Sequence, residues 1–225
     1  MNLLAVETSS AACSATAARD GVLFRSFVAS AGTHSASLFP MIAAALEKAG
    51  LSPDMIDRFA VSAGPGSFTG IRIGVAAIKG LAFAKDPPCI GISSLEAAAW
   101  SSGHEGTVCS LIDARRGNFY AALFEKQGNV YIRKSEDRLL PADEILALLP
   151  PEARLAGDGA ASFIKLFPER SFALPREVQD SDGVARAALS RPLSDFTAAR
   201  DLEARYLRPS QAEKALAEKN GAAAK

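Results

Sequence analysis

Gly64-Pro65-Gly66-Ser67-Phe68-Thr69-Gly70-Ile71-Arg72-Ile73-Gly74 joins a short apolar run to a long stretch of small and aliphatic residues. Gly66, Gly70 and Gly74 recur every four residues, so on a helix they share one face. Glycine inside a helix costs roughly 1 kcal/mol relative to alanine. Three in a row therefore imply a guest packed against bare backbone, either a ligand or another helix. The spacing excludes the two phosphate loops recognisable by sequence. Four residues past Gly64 or Gly66 there is no Gly-Lys pair, as a P-loop requires. Thr69 stands where a Rossmann turn places its third glycine. Gly64-Pro65-Gly66 still reads as a strand-to-helix turn with free N–H groups in the first helical turn. Such an end takes an anion, but every helix has one, so close packing is the preferred reading.

Working outward, residues 58–63 form the strand before the turn, 69–84 the helix after it, 89–93 a further strand, and Leu95 begins another helix. Upstream, residues 2–8 read as a buried strand, and two more strands at 13–19 and 22–30 flank Asp20-Gly21, a strong hairpin signal. Leu38, Ile42, Ala45, Leu46 and Ala49 follow helical spacing and stop at Gly50. An antiparallel opening followed by βα crossovers builds a mixed sheet with packed helices. After Ser101-Ser102-Gly103 the same grammar restarts, with strands at 108–112, 119–126 and 130–134, a helix at 142–149, a strand at 154–156 and a helix at 160–167. Helices are expected at 182–189 and 198–206. Two such α/β halves are the plan of the two-lobed actin/hexokinase/Hsp70-like (ASKHA) fold. Residues 1–101 then form the N-terminal lobe and 102–197 the C-terminal lobe. A helix at about 198–209 returns to the first lobe, and 210–225 is a flexible tail of Ala, Glu and Lys.

The 225 residues carry 25 basic and 25 acidic side chains, which disfavours strong nucleic-acid binding by the chain alone while leaving room for a local patch. Cys13, Cys89 and Cys109 sit apart in apolar runs and read as reduced core residues of a cytosolic protein. His34 and His104 have no metal-ligand spacing. No signal-peptide or membrane-spanning pattern is present, so a cytoplasmic protein is expected.

Glu7 ends the first strand and Asp113 the equivalent strand of the second half. Each reads either as a carboxylate facing a cleft, where a pair of them holds Mg²⁺ and phosphate, or as a turn cap. Arg115 and Arg116 place two guanidinium groups at a turn, for a phosphate, a partner's carboxylates or solvent. Ser67 and Thr69 lack a nucleophile elbow.

On the residues 4–9 (Leu-Ala-Val-Glu-Thr-Ser), Thr33-His34-Ser35, Gly64 to Lys79, residues 112–115 and Tyr206-Leu207-Arg208-Pro209, the chain resembles the TsaB (YeaZ) family. These stretches span nearly its whole length. The family is similar to the transferase TsaD, whose metal-binding histidines correspond here to Ser94 and Ala98. The resemblance implies a non-catalytic partner of TsaD and of the ATPase TsaE. Such a partner supports transfer of threonylcarbamoyl to A37 of tRNAs reading ANN codons, self-associates as a homodimer, and reaches tRNA only through the complex. It also implies a partner surface of Leu38, Ile42, Gly66, Thr69, Gly70, Ile71, Gly74, Val75 and Ile78. No cofactor and no metal are expected, weak nucleotide binding in a vestigial cleft of Glu7, Thr8, Asp113 and Arg115 being the one reservation. Many relatives have Asp-Thr where this chain has Glu7-Thr8, which weakens that nucleotide reading further. The competing reading is an active nucleotide-dependent phosphotransferase or ATPase using Glu7, Asp113 and the Gly64 turn. A metallopeptidase is disfavoured by the missing histidines.

Overall fold

The computed structural model describes residues 1–28, 33–172 and 179–208. Its centre is β1 (Asn2–Glu7), whose alternating side chains feed two cores. Leu4 and Val6 enter the core on one face and Leu3 and Ala5 the core on the other. β2 (Cys13–Arg19) and β3 (Val22–Val28) continue from it as antiparallel neighbours. Asp20 and Gly21 both take positive φ between them, the geometry of a tight hairpin turn. β4 (Arg58–Gly64) and β5 (Cys89–Ser93) add in parallel on the opposite side, giving the order β3-β2-β1-β4-β5. α1 (His34–Ala49) and α2 (Phe68–Ala82) cover one face of this sheet. α3 (Ser94–Ser102) lies on the other.

The second sheet contains β6 (Thr107–Asp113), β7 (Asn118–Gln127), β8 (Val130–Arg133), β9 (Arg138–Pro141) and β10 (Arg154–Ala156). Its order is β10-β6-β7-β8, and β9 pairs with the first half of β7. α4 (Ala142–Leu148) and α5 (Ala160–Leu166) close one face around Phe119, Ile145, Leu155 and Phe163. The other face packs on α3 through Leu95 and Ala99, while Ala97 of the same helix belongs to the first lobe's core. A helix buried on nearly every side is one held between two bodies, and α3 joins the lobes. Its buried Glu96 is met by Arg191 at 2.7 Å and by Arg133 of β8 at 3.7 Å. The α/β, two-lobed ASKHA-type architecture is thus present.

Two expectations are corrected. α6 (Ser181–Leu189), within the stretch assigned to the second lobe, packs through Val184, Ala185 and Ala188 on the first sheet beside Leu3 and Ala5. In place of the helix expected over about 198–209, the described residues to 208 show a single 3-10 turn, Ala199–Asp201, followed by a strap without regular secondary structure. Leu202 is drawn into the first lobe's core, and Arg205 N donates to Ala63 O at 2.7 Å. Pairing with the end of β4 overrides the helical propensity of the Ala- and Arg-rich stretch. The tail at 210–225 lies outside the described residues.

Candidate functional site

The guest of the glycine face is the chain's own loop after β1. A Cβ on Gly66 would meet Ser9 O at 2.5 Å, one on Gly70 would meet Thr8 O at 1.9 Å, and one on Gly74 would meet Thr8 Oγ1 at 2.5 Å. Polar bonds lock the same contact. Thr8 Oγ1 donates to Gly70 O at 2.8 Å and Ser67 N donates to Ser9 O at 2.7 Å. Ser67 Oγ caps α2 by accepting from Gly70 N. His34, at the start of α1, holds the loop from the other side through Ser10 O at 2.8 Å. Three of the stretches that carried the family resemblance therefore meet at residues 8–10.

This packing corrects the expected partner surface. Leu38, Ile42, Gly70, Ile71, Gly74, Val75 and Ile78 are buried within the chain itself, and Gly66 is half-buried against Ser9. Among those residues only Thr69 stands exposed. The residues turned to solvent are instead Ser35, Ala36, Phe39, Pro40, Ala43, Glu47 and Lys48 on α1, Thr69, Arg72, Ala76 and Gly80 on α2, and Phe83 just past α2, with Phe39 54% and Phe83 86% exposed.

The loop belongs to a buried polar cluster at the ends of β1 and β4 and the start of α3. Glu7 is fully buried, and Ser9 donates to its Oε1 from both N and Oγ, at 2.5 and 2.6 Å. Gln179 donates from Nε2 to Glu7 Oε2 at 3.1 Å and to Ser9 Oγ at 2.7 Å. Ser62 Oγ donates to Ser9 Oγ at 3.2 Å and shares a 2.6 Å hydrogen bond with Ser94 Oγ. Ala98 is fully buried one turn along α3, in van der Waals distance of where a Gly157 side chain would begin. Ser94 and Ala98, the two positions that the family resemblance sets against metal-binding histidines, thus hold a satisfied hydroxyl and a buried methyl.

Of the expected cleft residues, Glu7 and Thr8 are internal, whereas Asp113 caps its own turn by accepting from Arg115 N at 2.7 Å. Arg115 is exposed. The sequence reading missed Gln179 and Asp158. Asp158 lies in the turn before α5, and burial, then the charges of Glu7 and Asp113, push its carboxyl up to about 6. Burial also raises Glu7, against its hydrogen bonds from Ser9 and Gln179. Among the described residues no group of three or more His, Cys, Asp or Glu side chains is placed to hold a metal ion.

These two carboxyls give the stability a signed pH dependence. Each binds its proton more tightly in the fold than in the unfolded chain, so stability is fullest below the unfolded pKa and falls as pH rises through the folded value. For Asp158 the window runs from its ordinary 3.8 to about 6; the chain crowds its carboxyl while the rest of the residue still reaches solvent, so water screens part of the effect. Urea unfolding from pH 4 upward should show decreasing stability, with Asp158→Asn flattening the slope. An unchanged slope in the variant would remove Asp158 from the account.

The fold and this internal cluster define a two-lobed α/β scaffold whose loop after β1 is sealed by the chain's own hydrogen bonds. A family model described as TsaD, tRNA N6-adenosine threonylcarbamoyltransferase, matches residues 28–200. The chain belongs to that family. Within it, the chain is similar to the tRNA threonylcarbamoyladenosine biosynthesis protein TsaB of Escherichia coli K12, 34% identical over 155 residues, 68% of this chain and 64% of that protein. It is 29% identical to TsaB of Bacillus subtilis 168 over 68% of each chain. The matches therefore span about two thirds of these relatives' length. Among solved structures, YeaZ from Pseudomonas aeruginosa superposes with a TM-score of 0.82 at 24% identity, covering 92% of this chain and 99% of that one. The resemblance to TsaB (YeaZ) read from the sequence holds. No helix among the described residues is long and apolar enough to cross a membrane.

Proposed function

We propose that this chain is a non-catalytic partner subunit of a TsaD-type transferase. With the ATPase TsaE, it supports transfer of threonylcarbamoyl to A37 of tRNAs reading ANN codons. The observation that carries this reading is the closed cluster at Glu7, Ser9, Ser62, Ser94, Ala98 and Gln179. Both oxygens of Glu7 already accept hydrogen bonds within the chain. Neither Ser94 nor Ala98 offers an imidazole to a transition metal. The same geometry disfavours the phosphotransferase reading, because Glu7 is fully buried with both carboxylate oxygens engaged inside the chain. The scaffold is kept in the cytoplasm for docking, with no resident cofactor, and tRNA is engaged in the assembled complex.

The docking surface in this reading is the outward stripe of α1 and α2: Phe39 and Ala43 on the first, Thr69, Ala76 and Gly80 on the second, and Phe83 just past its end. Small residues let a second helix pair approach closely, and two exposed phenylalanines supply apolar area. A second copy of the chain uses the same stripe when the transferase is absent. Titrating the purified chain with the TsaD-type enzyme of the same cell should give a stable 1:1 complex that replaces the homodimer. Failure of the two proteins to associate would contradict the reading.

A further inference from the structure

The turn between β6 and β7 is built from three successive left-handed residues, Arg115 at φ +69°, Arg116 at +57° and Gly117 at +73°. Non-glycine residues seldom adopt this conformation. Here it is held by Arg115 N donating to Asp113 Oδ1, Asn118 N to Arg115 O and Asn118 Nδ2 to Arg116 O. Both arginine side chains are left exposed. The strap after residue 201 runs to the same turn, where Arg208 donates to Ala114 O at 3.4 Å.

Earlier in the strap, the exposed Arg205 is anchored by its backbone beside the end of β4. Tyr206, 40% exposed, stacks on Phe68 with ring centroids 4.6 Å apart. Arg72 donates from Nε to the Tyr206 hydroxyl at 3.2 Å and lies 3.9 Å over the Phe68 ring. Arg72, Arg205, Arg208, Arg115 and Arg116 thus follow one edge, from the first turns of α2 to the tip of the β6–β7 turn. Among the described residues, none of the five lies within ion-pair distance of a carboxylate, unlike Arg25, Arg133, Arg138 and Arg191.

We propose that this edge is a binding surface for single-stranded RNA, the arginines taking phosphates and Tyr206 offering its ring to a base. The guanidinium fork matches phosphate geometry, and aromatic rings interleaved with arginine suit unpaired nucleotides. An acidic peptide would use the charges but leave the aromatic platform unused. With basic and acidic residues balanced over the chain, the attraction is local to this edge. The proposal goes beyond the partner-subunit reading, since it requires the chain alone to hold RNA.

The test is fluorescence anisotropy of a labelled, unstructured RNA of about 12 nucleotides with the full chain at low salt. Saturable binding is expected, with affinity falling as salt rises by about 0.7 log unit per log unit for each phosphate engaged, so a slope of about −3 for four or five contacts. Arg115→Asn with Arg116→Asn tolerates the left-handed backbone while removing both charges. That pair should lower affinity at least tenfold and reduce the slope by about 1.4. Tyr206→Ala should weaken binding roughly tenfold and Tyr206→Trp should restore it. Arg154→Ala with Arg170→Ala, exposed elsewhere on the second lobe, should change nothing. Thermal melts check the fold, and Arg205→Gln, whose guanidinium makes no hydrogen bond among the described residues, serves as the second variant if the turn is perturbed; it should lower affinity about threefold. The proposal is overturned by absence of saturable binding, by wild-type affinity in the arginine variants, or by polyglutamate competing as well as RNA.

Discussion

Gly70→Ala should destabilise the chain by about 3 kcal/mol, a large share of the roughly 5–15 kcal/mol that holds a typical domain folded. The added methyl carbon would start 1.9 Å from Thr8 O. That atom is backbone, so no side chain can swing aside. Relief requires α2 to move off the loop, which breaks the Thr8 Oγ1 to Gly70 O and Ser67 N to Ser9 O bonds and opens the core at Ile71 and Val75. Gly80, three turns on, is the internal control. A Cβ there meets nothing within 4 Å, so Gly80→Ala should add up to about 1 kcal/mol from helix propensity alone. The difference of about 4 kcal/mol between two identical substitutions in one helix corresponds to roughly a thousandfold in the folding equilibrium. Urea titration of both variants measures it. Equal stabilities would mean that the glycine face is not seated on residues 8–9.

Ala76→Arg should act in the opposite way, leaving the fold intact and removing the partner. Ala76 is exposed on the outward face of α2, between Thr69 and Phe83 and turned away from the core residues Val75 and Ile78. An arginine there is solvated in the free chain, so the melting temperature should hold. In a close helix–helix contact its charge and bulk would be buried against a partner's backbone without a matching group, a cost of several kcal/mol. The affinity for the TsaD-type enzyme should fall by at least a hundredfold, as read by calorimetric titration, and the homodimer should dissociate to monomer. Wild-type affinity in this variant would move the partner surface elsewhere. The two substitutions separate the internal seating of α2 on its glycine face from the docking proposed for its outer face.

The four-residue glycine spacing, the Asp20-Gly21 hairpin and the restart of the strand pattern after Gly103 were legible because each depends on local backbone geometry or on short-range periodicity. Periodicity also found α1 and α2, but it cannot say which face of a helix meets its own core. Leu38, Ile71 and Ile78 were assigned to a partner and belong to the chain's interior. Gln179 gave no signal, since the carboxylate it binds lies 172 residues away. Asp158 looked like any residue of a Gly-Asp-Gly turn until the fold set Glu7 and Asp113 near it. The strap at 202–208 reads as helix because Ala, Leu, Glu and Arg favour one; a single backbone bond to the end of β4 and the stacking of Tyr206 on Phe68 decide otherwise.

The central claim, that the protein completes another enzyme and performs no transfer itself, is tested most directly by reconstitution. Purified chain, the TsaD-type enzyme, the TsaE-type ATPase, threonylcarbamoyl adenylate with ATP, and an ANN-decoding tRNA are combined, and modified A37 is quantified by nucleoside mass spectrometry. The account predicts no product from this chain alone and full turnover only when it and the enzyme are both present, with Ala76→Arg abolishing the gain. Threonylcarbamoyl transfer by the pure chain in the absence of the enzyme would contradict it.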